Sequence, residues 1–301
     1  MNRIGKGIAL ALGTALISGV AIFVNSFAVK EISDAALFTT LKNGVAALAL
    51  LGVTVLAARG PRSMPAGART WTGMTVVGVF GGGVAFLLFF SGLAMASAPS
   101  AAFIHKTLFI WVAMLAVPFL GERLGLIQVG ALGALLASQL LITPPTGVTW
   151  GMGETLIAAA TLIWAAEVVL AKRLLAKVDP LVLGVGRLGI GLIVLVGYVG
   201  FSGKLGALFA LDGTQWMWVL LTGALLAGYV GTWFAALKLA PASVVTSVLV
   251  LGAPITATLA AAANGTIPAV LPLTGYVLAM LAAGAIALVA ARRTETQPVT
   301  A

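Results

Sequence analysis

Along the 301 residues of this chain the apolar positions neither alternate nor keep to one face of a helix. They fill unbroken blocks of about twenty, separated by short segments that hold most of the charge. A block of that length, wound as an α-helix at about 1.5 Å per residue, crosses the roughly 30 Å hydrocarbon layer of a bilayer. Ten such blocks occur, over 6–28, 36–58, 70–90, 97–119, 123–142, 153–174, 181–201, 214–237, 242–262 and 270–291. In lipid the backbone has to satisfy its own hydrogen bonds, and blocks without strict alternation leave helices, not β-barrel strands, as the solution. The pattern predicts an all-α membrane protein with ten transmembrane helices.

Composition agrees: 61% of residues are hydrophobic and 8% charged, against roughly a quarter charged in soluble domains. A net charge of +9 would suit a nucleic-acid partner, but the positions of the cations point elsewhere. Alternate connections hold Arg3, Lys6, Arg59, Arg62, Arg69, Arg123, Lys172, Arg173, Lys177, Lys238, Arg292 and Arg293, whereas the opposite connections hold only Lys30 and Lys204. Such a bias marks the cytoplasmic side and places both termini there; the expected location is a prokaryotic cytoplasmic (inner) membrane, and no nucleic-acid partner is expected. Arg3 and Lys6 before an apolar run ending near Ser26, Phe27 and Ala28 also resemble a secretory signal. The run is longer than an ordinary signal core, however, and cleavage would leave nine spans. Without cysteine there is no disulfide or thiol chemistry.

The two halves align at an offset of 144 to 146: Leu16 and Ile17 on Leu162 and Ile163, Lys42 on Arg187, Phe90 on Phe234, Leu93 on Leu237, Ala96 on Ala240, and Gly121 on Gly265. Each half holds five spans. Because five is odd, the second copy enters the membrane from the opposite side, so the expected organisation is two inverted five-helix repeats, residues 1–146 and 147–301, an architecture that supports alternating access. The Pro- and Gly-rich TPPTGVTWG at 143–151 is the expected linker.

The residues also carry a family resemblance. IWVAMLAVPFLGERLG at 110–125, LIWAAEVVLAKR at 162–173, GVGRLGIGLIVL at 184–195 and SVLVLGAPITATLA at 247–260 are similar to the fourth, sixth, seventh and ninth spans of the drug/metabolite transporter superfamily, in its EamA-like branch of ten-span proteins. The resemblance covers essentially the whole chain. It implies a transporter, with export as the expected direction and spans 5 and 10 at the periphery. The chain departs from the family pattern at Ser18, where a Trp is usual, at Phe109, where a Pro is common, and at the adjacent His105 and Lys106.

Lys42, Lys106 and Arg187 are the cations inside spans. Each would cost about 2.5–3.5 kcal/mol at the bilayer centre on insertion scales if it faced lipid, so an interior cavity is their expected place, with snorkelling to the interface as the plain alternative. Lys42 and Arg187 fall at mirrored depths, which would put one fixed cation near each mouth of a central site and favour anions. Glu167 is the acid deep in a span; it either pairs with Arg187 or carries a proton. Trp164 lies one turn before it. His105 stands about 100° around the helix from Lys106, so the two cannot both point squarely at one cavity. Thr14, Ser18 and Asn25 share a face of span 1, and Ser243, Ser247, Pro254 and Thr258 a face of span 9; such stripes line a pathway or join helices. Pro254 lacks an N–H and is the expected hinge. The candidate substrate-binding set is Ser18, Asn25, Lys42, His105, Lys106, Trp164, Glu167 and Arg187.

GVGRLG at 184–189 matches the dinucleotide fingerprint letter for letter, but it follows no strand and sits inside a lipid-length helix. With one histidine and no cysteine, no triad or metal site is expected, so neither enzyme activity nor a cofactor nor a metal is expected. The expected function is a secondary transporter of small polar metabolites, amino acids or other carboxylate-bearing solutes, through a cationic central cavity, working as a monomer or homodimer in the bilayer. The competing readings are a proton-coupled exporter of lipophilic cations using Glu167, and a non-transporting scaffold or lipid-carrier flippase.

Overall fold

A computed structural model describes residues 2–32, 34–56, 63–142, 150–266 and 269–293. Ten helical rods run through it. Rod 1 is α1 (Arg3–Glu31) and rod 2 is α2 (Ala35–Leu56); rod 3 is α3 (Ala68–Val76), a π-helical segment (Val77–Val84) and α4 (Ala85–Leu93) in series. Rod 4 is α5 (Ala98–Lys106) with α6 (Leu108–Leu120), rod 5 is α7 (Leu126–Ile142), rod 6 is α8 (Met152–Leu174) and rod 7 is α9 (Pro180–Phe201). Rod 8 is α10 (Gly213–Leu239), rod 9 is α11 (Ala242–Leu249) with α12 (Gly252–Asn264), and rod 10 is α13 (Val270–Arg293). Among the described residues nine rods are long and apolar enough to cross a membrane. The remaining one, α7, is shorter than the 123–142 block predicts. Gly121 turns left-handed at φ 67° and ends α6, and the chain stays non-helical until Leu126.

The polar ends of the rods start where side chains satisfy free backbone N–H groups. Asn2 accepts from Gly5 N at 2.7 Å, Asp179 from Leu181 N at 2.9 Å, and Asp212 from Gln215 N at 2.8 Å. Ten rods put the start of α1 and the end of α13 at one face of the bundle, here called the terminal face; the other is the far face.

Rods 4 and 9 are both interrupted, at Thr107 and at Val250–Leu251, positions that the 144-residue offset superposes. In rod 9 the cause is Pro254, which has no N–H to give the Val250 carbonyl; Ala253 N binds that carbonyl instead, at 3.0 Å, and the turn tightens. The break thus lies one turn before the proline expected as hinge. Rod 4 has no proline there. Thr107 turns its N and Oγ1 back onto the Ile104 carbonyl at 3.1 and 2.6 Å, and Trp111 Nε1 holds the hydroxyl at 3.0 Å. The same equivalence recurs at Gly121 and Gly265, which end α6 and α12 at φ 67° and 63°.

The largest apolar core lies toward the terminal face, where Leu174, Leu175, Val178, Leu183, Leu237 and Val245 are buried together. Polar ties between the halves brace this end. Glu122 accepts from Ala242 N at 2.5 Å, Ser243 N at 3.1 Å and Ser243 Oγ at 2.5 Å, so a carboxylate from the end of rod 4 caps the start of rod 9. Arg173 Nε donates to the Phe119 carbonyl at 3.1 Å across the halves, and within the second half Lys172 Nζ donates to the Leu237 and Ala240 carbonyls. At the far face Asp34 and Lys204 pair at 2.6 Å, and Gln215 Nε2 donates to the Glu31 carbonyl at 3.0 Å. Rods 5 and 10 pack on each other through Ala131, Leu135, Ala279 and Ala283. The proposed boundary at 146 and most of the 143–151 linker lie outside the described residues, as do Arg59 and Arg62.

Candidate functional site

Between the halves lies a chamber of about 240 Å³. Asn25, Lys42 and His105 line its far-face end; Glu167 and Arg187 line its other end, above the apolar core. Ser18 and Trp164 also line it, joined by Phe86, Thr222, Tyr229, Trp233 and Phe234.

The floor is an ion pair. Arg187 Nε approaches Glu167 Oε1 at 2.5 Å and Nη2 approaches Oε2 at 3.2 Å, the two-pronged geometry that a guanidinium offers a carboxylate. Nη2 also donates to the Gly81 carbonyl at 3.1 Å, and Trp164 Nε1 donates to the same oxygen at 3.0 Å. Gly81 belongs to the π-helical segment, a distortion common at functional sites. A Cβ at Gly81 would stand 2.1 Å from Glu167 Oε2, and one at Gly82 would stand 2.3 Å from the Arg187 carbonyl oxygen. The run Gly81, Gly82 and Gly83 therefore lets rod 3 press its backbone onto rods 6 and 7 and place an acceptor between two donors. The triple glycine was visible in the sequence; the widened turn and its carbonyl were not.

Aromatic rings form the wall. Trp164 meets Phe86, Phe89 and His105 with centroids 5.3, 5.5 and 5.0 Å away. The Arg187 guanidinium lies 5.7 Å from the centre of Phe86, and Tyr229 stacks on Trp233 at 6.0 Å. Phe86, Phe89, Tyr229 and Trp233 left no signal in the sequence, because an aromatic residue in a span looks the same whether it faces lipid, a helix or a cavity.

Lys42 has a different environment. It is 7% exposed, its Nζ lies 5.0 Å from the Phe38 ring centre and 6.0 Å from that of Phe90, and no carboxylate or hydrogen-bond acceptor holds it among the described residues. Ring faces return about 0.5–2 kcal/mol each, less than the several kcal/mol of taking an ammonium out of water. Two polar atoms of residues that line the chamber, Asn25 Oδ1 and His105 Nδ1, are buried without a partner among the described residues. Buried polar atoms of this kind are normally satisfied by protein or by something bound.

The structure corrects several expectations. Arg187 is not a free cation at the second mouth, because Glu167 neutralises it; the mirrored depths of Lys42 and Arg187 do not give mirrored charges. Lys106 does not line the chamber. It lines a side pocket of about 90 Å³ with Ser18, His105, Thr246, Gly252 and Ala253. Of the span 1 stripe, Ser18 and Asn25 face the chamber, but Thr14 Oγ1 lies 2.8 Å from the Leu10 carbonyl oxygen and 2.9 Å from Thr232 Oγ1, within hydrogen-bond distance of both, as a link between helices. The span 9 stripe lines no chamber wall: Ser243 binds Glu122, Ser247 Oγ donates to Ser243 O at 2.7 Å, and Thr258 is exposed. At the far face a second cavity of about 240 Å³ is bordered by Asp34, Phe90 and Lys204 and shares Phe86 with the chamber. No cluster of metal-ligating side chains occurs among the described residues.

A family model described as the EamA-like transporter family matches this chain twice, over residues 5–143 and 151–290. A solved structure described as "Crystal structure of protein" superposes on it with a TM-score of 0.75 at 18% sequence identity, covering 97% of this chain and 99% of that one. At that identity the likeness speaks to the fold. No curated protein matches the sequence.

Proposed function

Because the chain belongs to the EamA-like transporter family, matched as two repeats, and is thereby a membrane transporter, we propose that it exports small carboxylate-bearing metabolites, amino acids among them, through the chamber between its halves. Members of that family are transporters rather than enzymes. The observation that carries the substrate class is Lys42, a buried lysine beside two rings with no counterion among the described residues. A carboxylate in the chamber would supply that counterion, while Asn25 and His105 would supply acceptor or donor atoms to the rest of the solute. Export as the direction rests on the family resemblance. The bias of Lys and Arg toward the terminal face supports a cytoplasmic location for both termini in a prokaryotic inner membrane.

The reading as an exporter of lipophilic cations is weaker. It needs a carboxylate free to bind the cation or the proton, and the acid lining the chamber, Glu167, is already held by Arg187. The chamber is also smaller than the roughly 300–1,000 Å³ of drug-sized sites. Rods 5 and 10 carry apolar outward positions such as Ile127, Val129, Met280 and Leu281, which face lipid in a monomer or a second copy in a homodimer.

A thermal-shift panel on purified protein tests the proposal, since a ligand that binds the folded state alone raises its apparent stability by mass action. Carboxylates and amino acids should raise the melting temperature in a saturable way and quaternary ammonium compounds should not. The reverse ranking would remove the anion reading.

A further inference from the structure

The side pocket at Lys106 lies where the two broken rods meet rod 1. On the terminal side of the breaks α6 packs on α11; beyond them α5 leans on α8 and α12 leans on α1. Small residues leave the resulting gap open: Ser18 from rod 1, with Gly252 and Ala253 from rod 9. Lys106 enters from rod 4, and no hydrogen bond or carboxylate holds its ammonium among the described residues. The pocket adjoins the chamber: Ser18, Ile22, His105, Leu108 and Leu249 line both. His105, with its unpartnered Nδ1, stands at the junction.

The charges can now be assigned. Glu167 cancels Arg187. Among the described residues no carboxylate pairs with Lys42, which lines the chamber, or with Lys106, which lines the adjoining side pocket. We infer that the pocket at Lys106 is a second anion subsite, so that the preferred solute carries two separated anionic groups, one for Lys42 and one for Lys106, as a dicarboxylate does. A monocarboxylate would leave one ammonium without a counterion, and within a protein a charged partner counts for more than in bulk water. This deepens the proposal that the chamber binds carboxylates and rests on it.

The test is binding to the full-length protein in detergent by calorimetry, using succinate, glutarate and adipate against butyrate, valerate and hexanoate. Wild type should favour the matching dicarboxylate by about tenfold or more, the worth of one charge-assisted contact. Lys106→Met keeps the stem and removes the charge, and should erase that preference by weakening the dicarboxylates far more than the monocarboxylates; Lys106→Arg should restore part of it. Lys42→Met should weaken both series. Equal affinity for the two series in wild type, or a preference that survives Lys106→Met, overturns the second subsite and leaves the carboxylate proposal standing. No binding of either series overturns both. If Lys106→Met instead loses a co-purified anionic phospholipid and keeps the solute preference, Lys106 serves lipid and the inference is overturned. A monodisperse elution profile and an unchanged melting temperature show that each variant is folded.

Discussion

Arg187 on rod 7 grips both oxygens of Glu167 on rod 6, at 2.5 and 3.2 Å, with both residues buried. The pair neutralises the floor of the chamber and leaves Lys42 as the unpaired charge among the described residues that line it. Removing one member of a buried pair strands the other and costs about 3–5 kcal/mol. Glu167→Gln and Arg187→Met should therefore each lower the melting temperature markedly, and the double variant should lose less than the two losses combined. A stable Glu167→Gln protein that has lost only proton dependence would instead make Glu167 a coupling acid.

Gly81 should tolerate no side chain. Gly81→Ala places a methyl 2.1 Å from Glu167 Oε2, so either the carboxylate or rod 3 must shift. The expected outcome is loss of transport in vesicles with a fall in stability, whereas Gly133→Ala, which meets nothing within 4 Å, should be neutral or slightly stabilising.

Glu122 should govern closure of the terminal face. Its three bonds to the start of α11 join the halves at one end, and its offset partner Thr266 brings no carboxylate to the other. Glu122→Ala should open this end and raise the labelling of a cysteine placed at Val178 by a membrane-impermeant thiol reagent in inside-out vesicles. The absence of native cysteine makes the readout free of background. Equal labelling with and without the carboxylate would show that apolar packing alone closes this face.

The tie between Asp34 and Lys204 should ignore ordinary changes of pH. Partial burial pushes the Asp34 carboxyl up, but the Lys204 bond and charge and the backbone N–H groups of Leu37 and Ala36 outweigh it and hold the carboxyl below its ordinary 3.8. The Asp34 bond in turn raises the Lys204 ammonium above 10.5. A lowered carboxyl pKa gives stability that is present above the unfolded value and lost as pH falls through the folded one; a raised ammonium pKa gives stability lost only as pH climbs past 10.5. The distance between spin labels at Glu31 and Gly203 should stay constant from about pH 5 to 9, and Asp34→Asn should widen it. A change near neutral pH would assign the titration to another group.

The ten spans were legible because a bilayer sets both the length and the polarity of what crosses it, and the motif resemblance was consistent with the family match. Lys42, Arg187 and Glu167 stood out because charge within an apolar block is costly wherever it points. What the sequence left open is contact. Nothing local distinguishes Phe86, which lines the chamber, from Phe119, which is exposed. The break at Thr107 has no proline to announce it, and the partner of Glu122 lies 120 residues away. The pairing of Glu167 with Arg187 was one of two readings, because depth along a helix is readable from a sequence and azimuth between helices is not.

Lys42→Met gives the most direct measurement, made as efflux of a labelled carboxylate from vesicles loaded with it and containing the full-length protein. Its stem still fills the space beside Phe38 and Phe90, so folding and melting temperature should hold. Efflux should fall by about tenfold or more, as expected when a charged substrate loses its counterion. Wild-type efflux from the folded Lys42→Met protein would contradict a chamber built to receive an anion.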